Sequence, residues 1–436
     1  MIAKNVTHAL VLITWATSCL AAAPALPSGE TSRAAAGCTT STFNISGAMS
    51  PAPLIGTNGN KAVIGRDHRI HLVYADQNKI YYRSSADGVS WSAPIILATG
   101  GANQSFQEPT IAVDLGGTLG IAFADVSSFI IYYTYKTYGA SSFSTPVKAV
   151  GPGQQPSMVA AGSRMYLAWV NAFSVNYLDF ASTSPPTSAT GYVLDTTTLC
   201  THNTHFSWPS IAVRVPPCGG TPVVRIAYYY FSDERQNPYG CIKPYVESGP
   251  VVRNAYTGSS IAFAAVNVGN PAAGWAMEGV SISLAADSSR FYLAWSDVWG
   301  TPRTMLASGV GTGNWQSAVS IATKRSTIDV ATEEGGSEFR VAWNEILGTG
   351  LFGPSYHRSG TWSLGSTAPI WTSPVLPVAS SGNNSNPQSL FWKRCRGNAL
   401  TTVPVVYQLG QSLKSDATTC PANCNIGWLS GTVSDC

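Results

Sequence analysis

Phe291-Tyr292-Leu293-Ala294-Trp295-Ser296-Asp297 is an apolar run that closes on an aromatic, a small residue and an acid. Close copies are His71-Leu72-Val73-Tyr74-Ala75-Asp76, Gly120-Ile121-Ala122-Phe123-Ala124-Asp125, Tyr166-Leu167-Ala168-Trp169-Val170-Asn171 and Arg340-Val341-Ala342-Trp343-Asn344-Glu345. Ile226-Ala227-Tyr228-Tyr229-Tyr230-Phe231-Ser232-Asp233 is a looser one. A phrase that returns about every fifty residues, with several short strands per unit, is the sequence form of a β-propeller.

The surroundings of each copy fill out the unit. A short apolar strand precedes it, often after proline, as at Pro109-Thr110-Ile111, Pro156-Ser157-Met158 and Pro209-Ser210-Ile211. Turn residues such as Asp114-Leu115-Gly116-Gly117 and Asp287-Ser288-Ser289 join the two strands as a hairpin. A third strand follows at Lys79-Ile80-Tyr81-Tyr82-Arg83 and Phe129-Ile130-Ile131-Tyr132-Tyr133. A fourth begins at an aromatic: Trp91, Phe143, Trp315 and Trp362. The reading is all-β: a propeller of four-stranded blades, seven in number, with six plus closing strands as the alternative. Six units are clear and a seventh, degenerate one lies around Leu390 to Leu409. Residues 54–436 form one propeller domain, with an insertion near 233–250 and a cysteine-rich C-terminal segment. No sustained helical period is found.

Composition narrows the class. Charged residues make up 11% of the 436, against roughly 25% in an average soluble protein. The net charge of +3 and the lack of a Lys/Arg run argue against nucleic acid or an anionic membrane as partner. Lys4, the apolar Ala9 to Ala16 and Ala23-Pro24-Ala25 predict a signal peptide over 1–25, with a linker over 26–53. No stretch is long enough for a transmembrane helix. These features predict a secreted monomer. Ala16-Thr17-Ser18-Cys19 gives the alternative, a lipobox that lipid-anchors the chain at Cys19. Without Cys19, eight of the nine cysteines remain, an even number that predicts disulfides in an exported chain. Cys420-x-x-x-Cys424 has no second pair at zinc-finger spacing, so neither metal nor cofactor is expected.

Ser85-Ala86-Asp87-Gly88-Val89-Ser90-Trp91 resembles the Asp-box of sialidase-like (BNR-repeat) propellers, with the glycine directly after the aspartate. The resemblance spans roughly residues 60 to 370 as a pattern and implies that this turn is structural, away from the active face. The family includes glycoside hydrolases, polysaccharide lyases and lectins. The Arg-Ile-Pro sequence that opens the sialidase arginine triad is absent here, although Arg66 and Arg69 flank the region.

Chemistry is expected at one mouth of the channel. The recurrent acids follow the second strand of each blade, and the loops entering the first strands should meet them there. An acid at a strand end either braces a turn or serves in a carboxylate pair for glycoside hydrolysis. The candidate pair is Asp125 and Asp297. Candidate substrate-binding residues are Asp76, Glu108, His205, Trp208, Asp233, Glu278, Trp299 and Glu345, the tryptophans as plates for sugar rings. Trp169, Trp295 and Trp343, inside apolar strands, read as core. The sequence thus predicts a secreted propeller that recognises an extracellular glycan and hydrolyses it with a carboxylate pair. The alternatives are a non-catalytic lectin or protein-interaction propeller and, less favoured, a polysaccharide lyase.

Overall fold

The computed structural model describes residues 39–46, 59–171, 174–187, 191–196, 204–215, 221–232, 248–254, 266–267, 281–297, 303–310, 315–316, 318–324, 326–332, 338–346, 352–363, 366–378, 384–396, 399–409 and 412–421. These residues are strand and turn, with no helix among them. Strand β1 is Thr39–Asn44. The first blade contains β2 (Ala62–Ile64), β3 (Ile70–Asp76), β4 (Lys79–Ser85) and β5 (Ile95–Thr99). The second has β6 (Phe106–Val113), β7 (Leu119–Asp125), β8 (Ile130–Lys136) and β9 (Val147–Val150). The third has β10 (Gln154–Ala161), β11 (Arg164–Asn171), β12 (Ser174–Ala181) and β13 (Tyr192–Thr196). Then come β14 (Thr204–Arg214), β15 (Val223–Ser232), β16 (Ser248–Asn254) and β17 (Val266–Asn267). The fifth blade has β18 (Ile282–Ala286), β19 (Phe291–Asp297), β20 (Arg303–Gly309) and β21 (Val319–Ala322). The sixth has β22 (Ser326–Thr332), β23 (Glu338–Ile346), β24 (Phe352–Thr361), β25 (Ile370–Trp371) and β26 (Leu376–Pro377). The chain ends in β27 (Asn384–Arg396), β28 (Ala399–Leu409) and β29 (Ser412–Pro421).

Six sheets are built from consecutive strands, and the seventh has the order β1-β29-β28-β27. The first strands touch in a closed ring: β2, β6, β10, β14, β18, β22, β27 and β2 again. Six blades plus closing strands thus describe the same object as seven sheets around one axis. Residues 39–44, expected in a linker, instead form the outer strand of the last sheet, with Thr42 opposite Asp416. This lets one blade hold both ends of the described chain, so the ring closes by strand pairing.

Apolar residues on facing sides of neighbouring sheets make the cores. Trp169, Trp295 and Trp343 are buried between blades, where their large apolar area counts most. The fourth strands start later than the aromatic marks suggest. Trp91 and Trp315 make isolated bridges to Ser85 and Gly309, ahead of β5 and β21.

A polar ring at the axis supplements the apolar seams. At each seam a backbone N–H of one inner strand donates to a group of the previous blade. Lys61 N reaches Gln388 Oε1 at 2.7 Å, Ile111 N reaches Asn60 O at 2.8 Å, and Gln155 N reaches Glu108 Oε2 at 2.7 Å. Ile211 N meets Ser157 Oγ at 3.2 Å and Leu284 N meets Ser210 Oγ at 2.9 Å. Ile328 N meets Ser281 Oγ at 2.9 Å and Ser389 N meets Asp329 Oδ2 at 2.7 Å. Inner strands have one edge without a strand partner, and these bonds satisfy donors that burial would otherwise orphan. Three of the strands carry a bulge whose residue has positive φ and precedes proline: Glu108, Gln155 and Asn386. The bulge turns the Glu108 side chain toward the next blade.

Candidate functional site

Strand pairing places the recurrent acids on one face. Asp125 lies opposite Phe106, and Glu345 opposite Ser326, so the end of each second strand meets the start of the first. Asp76 and Asp297 end β3 and β19 on the same face. Asp125, however, is a turn brace. Its Oδ1 accepts from Ser105 N at 2.8 Å, Ser127 N at 3.2 Å and Ser127 Oγ at 2.6 Å, and Oδ2 accepts from Ser128 Oγ at 2.6 Å. Burial would raise its pKa, but these hydrogen bonds outweigh it and hold the carboxyl at about 2. A carboxylate so occupied has no proton to give near neutral pH, so of the two roles in a carboxylate pair it fits the nucleophile or base and not the acid.

The expected place of Glu108 is corrected. It lies within β6, not in an entry loop, and is buried with its Oε2 spent on the seam to Gln155. Glu345 accepts an ion pair from Lys324 Nζ at 2.7 Å. His205 and Trp208 fall inside β14, where a loop was expected, and their side chains lie outside the described residues. The Asp297 side chain is likewise outside them, as are Asp233, Glu278 and Trp299 entirely. So are the side chains of all nine cysteines, disulfide partners included. Among the described residues no group of three His, Cys, Asp or Glu could hold a metal ion.

At the axis, three ionisable groups approach one another. Lys61 is fully buried and its Nζ has no hydrogen-bond partner. Burial pushes this amine down to about 7, against the attraction of Glu108 and Asp329. Burial pushes Asp329 up to about 7, despite hydrogen bonds from Ser283 Oγ and Ser389 N, both at 2.7 Å. Burial also raises Glu108.

A surface cavity of about 470 Å³ lies between the first and second blades. It sits at the opposite end of the strands from the recurrent acids. The β2–β3 turn supplies Arg66, Asp67 and Arg69, the β6–β7 turn Gly117, and the end of β8 Lys136 with Tyr138 beyond it. His71 and Tyr82 form its inner wall. Asp67 Oδ1 accepts from His71 Nε2 at 2.9 Å and from Arg69 N at 3.1 Å. His71 Nδ1 lies 2.6 Å from the Tyr82 hydroxyl. Burial would raise Asp67, yet the hydrogen bond and charge of His71 hold it below the usual carboxylate range. Burial pushes Tyr82 up to about 12, so it keeps its proton.

The rim is arranged as well. Arg66 lies over the Tyr138 ring at 5.6 Å, and Lys136 over Phe143 at 5.8 Å. Gly117 has φ +84°, and a Cβ there would come within 2.9 Å of Tyr138 Cδ2 and 3.2 Å of Arg66 Cβ. Only glycine leaves room for that stack. Sequence reasoning missed this site. The available signal was charge density, with Arg66-Asp67-His68-Arg69-Ile70-His71 standing in a chain only 11% charged and holding six histidines.

No family model matches the chain, and no curated protein does. Among solved structures it is similar to a prolyl endopeptidase (TM-score 0.43, 12% identity, 84% of this chain), spanning only 51% of that protein's length. It is similar to the NanB sialidase of Streptococcus pneumoniae (TM-score 0.43, 7% identity), covering 86% of this chain and 70% of that one. It is also similar to an α-L-arabinofuranosidase from Fusarium graminearum (TM-score 0.44, 10% identity), covering 79% and 98%. Likenesses this distant say nothing of what this chain acts on.

Proposed function

We propose that this protein is an exported, carbohydrate-recognising β-propeller whose sugar site is the cavity between the first and second blades. The observation that carries this reading is Tyr138. The residue is 58% exposed at the cavity rim, with Arg66 over its ring and a fan of hydrogen-bonding groups beside it. A sugar has an apolar C–H face and a polar edge, and an aromatic plate beside fixed polar groups meets both. The Asp-box turn and the propeller fold agree with it.

A glycan array probed with the mature protein tests the reading. We expect binding to a subset of oligosaccharides, and a loss of at least about tenfold in Tyr138→Ala, the size expected when one aromatic anchor goes. An array without binders, or binders indifferent to Tyr138, would overturn it. The accompanying proposal of hydrolysis draws on the channel mouth, where Asp76, Asp297 and Glu345 share a face. Release of products that Asp297→Asn abolishes would support it, and binding without products would leave a lectin. Mass spectrometry of the mature N-terminus separates secretion from lipid anchoring at Cys19.

A further inference from the structure

We infer that the cavity between the first and second blades selects saccharides bearing an anionic group, a carboxylate or a sulfate ester. The inference rests on the sugar-site reading and adds the ligand's charge.

Three cations line the cavity, Arg66, Arg69 and Lys136, against one carboxylate, Asp67. Among the described residues no ion pair involves any of the three cations. Asp67 attracts Arg69, but its own hydrogen bonds are made to other groups. Its Oδ1 is held by His71 Nε2 and by the Arg69 backbone N–H. His71 is in turn fixed by Tyr82. Asp67 therefore shapes the turn and leaves the guanidinium groups of Arg66 and Arg69 to the cavity.

The cations are also placed in advance. Arg66 rests on Tyr138 in the space Gly117 leaves open, and Arg69 Nη2 donates to Ser84 Oγ at 3.3 Å. Lys136 lies over Phe143. Such stacking leaves the edge of a guanidinium available for two parallel bonds to a planar or tetrahedral oxyanion. Like charges gathered in one concavity repel each other, and an anionic ligand relieves that. In a chain with so few charges, three unpaired cations in one cavity identify the chemistry of the guest. The site is separate from the channel, because these residues come from the β2–β3 turn and the end of β8, the opposite end of the strands from Asp76 and Asp125.

Calorimetric titration of the mature protein tests this with four probes: an oligogalacturonide, a heparin-derived sulfated oligosaccharide, a neutral cello-oligosaccharide and inorganic sulfate. We expect at least one acidic oligosaccharide to bind about tenfold or more tightly than the neutral one, and to weaken as salt screens the cations. Arg66→Gln combined with Lys136→Gln should cost that acidic ligand about tenfold or more, the usual worth of charge-assisted hydrogen bonds. Uronate or sulfate preference then names the source of the charge. Equal affinity for neutral and acidic oligosaccharides, or acidic binding unmoved in the double variant, would overturn the inference and leave the sugar site standing. Sulfate binding lost in the double variant, with no saccharide bound, would keep the anion site and remove the sugar reading. A thermal melt of the double variant matching wild type separates lost binding from lost folding.

Discussion

The first blade has a seam on each side, and the two use the same kinds of residue to opposite ends. Toward the seventh blade lies the Asp-box turn. Asp87 Oδ1 accepts from Val89 N at 2.9 Å, Ser90 N at 2.7 Å and Ser85 Oγ at 3.1 Å. Gly88 O accepts from Ser415 Oγ at 2.8 Å, and Trp91 Nε1 donates to the same hydroxyl at 3.4 Å. Trp91 packs with Val403, Val406 and Leu413 of the last blade. Toward the second blade, Arg66, Asp67, His71 and Tyr82 surround an open cavity. In the Asp-box turn at the first seam, Ser85, Asp87, Gly88 and Trp91 are all bonded to the turn's own backbone or to the neighbouring blade. At the second, the cations keep hydrogen-bonding capacity for a guest. A polar seam thus becomes a site when its side chains bond one another in a way that leaves a gap, and a clasp when they bond across it.

Gly88→Ala should break this contrast most sharply. Gly88 has φ +71°, and a Cβ there would lie 2.1 Å from Val403 Cγ2. Left-handed backbone and a clash with a buried side chain combine, so we expect a loss of about 2–4 kcal/mol in chemical denaturation. Saccharide binding at the other seam should survive in the folded fraction. A stable Gly88→Ala protein would mean that the clasp does not hold the ring. Asp125→Ala should act as a smaller clasp failure: it removes the charged acceptor that Ser105, Ser127 and Ser128 share, costing about 1–3 kcal/mol. Because the folded carboxyl is held at about 2, its contribution is full above the unfolded pKa of about 3.9 and is lost as pH falls toward 2. Thermal melts between pH 2 and 6 read this window. A wild-type melting point in Asp125→Ala, together with lost glycan cleavage, would return the residue to catalysis.

The blade repeat was legible because a buried strand must be apolar for its whole length, as Phe291 to Trp295 and Tyr166 to Val170 are. The Asp-box was legible because its turn is local. Strand β1 was not, since Thr39–Asn44 lacks an apolar run and its partner lies at the other end of the chain, with Thr42 Oγ1 bonded to Asp416 Oδ1. Glu108 and Trp208 looked like loop residues because each precedes a proline, yet the proline marks a bulge inside a strand. Asp125 was ambiguous for a physical reason, as an acid at a strand end looks the same whether it braces or reacts. The Ser127-Ser128 pair that follows it was the hint of a brace. The cavity could not be read because Arg66, Gly117 and Tyr138 come from three turns in two blades.

The axis offers a finer test of how spent a polar group can be. Asp329 is fully employed at its seam, yet burial lifts its pKa to about 7. Its folded value therefore stands above the unfolded one of about 3.9, so between these values the folded state binds more protons and stability falls as pH rises. Lys61 runs the other way. Its folded value of about 7 lies below the unfolded one of about 10.4, so stability rises from there with pH. The two groups together should give a minimum in the melting temperature near pH 7. Asp329→Asn keeps an acceptor for Ser389 N and removes the titration, so it should flatten the acid side of that minimum, by at most about 1.4 kcal/mol per pH unit. Lys61→Met should flatten the alkaline side alone. If both variants keep the wild-type slope on both sides, the axial groups are not titrating, and the inner ring is held by its hydrogen bonds as indifferently to pH as Ser157 and Ser210 hold theirs.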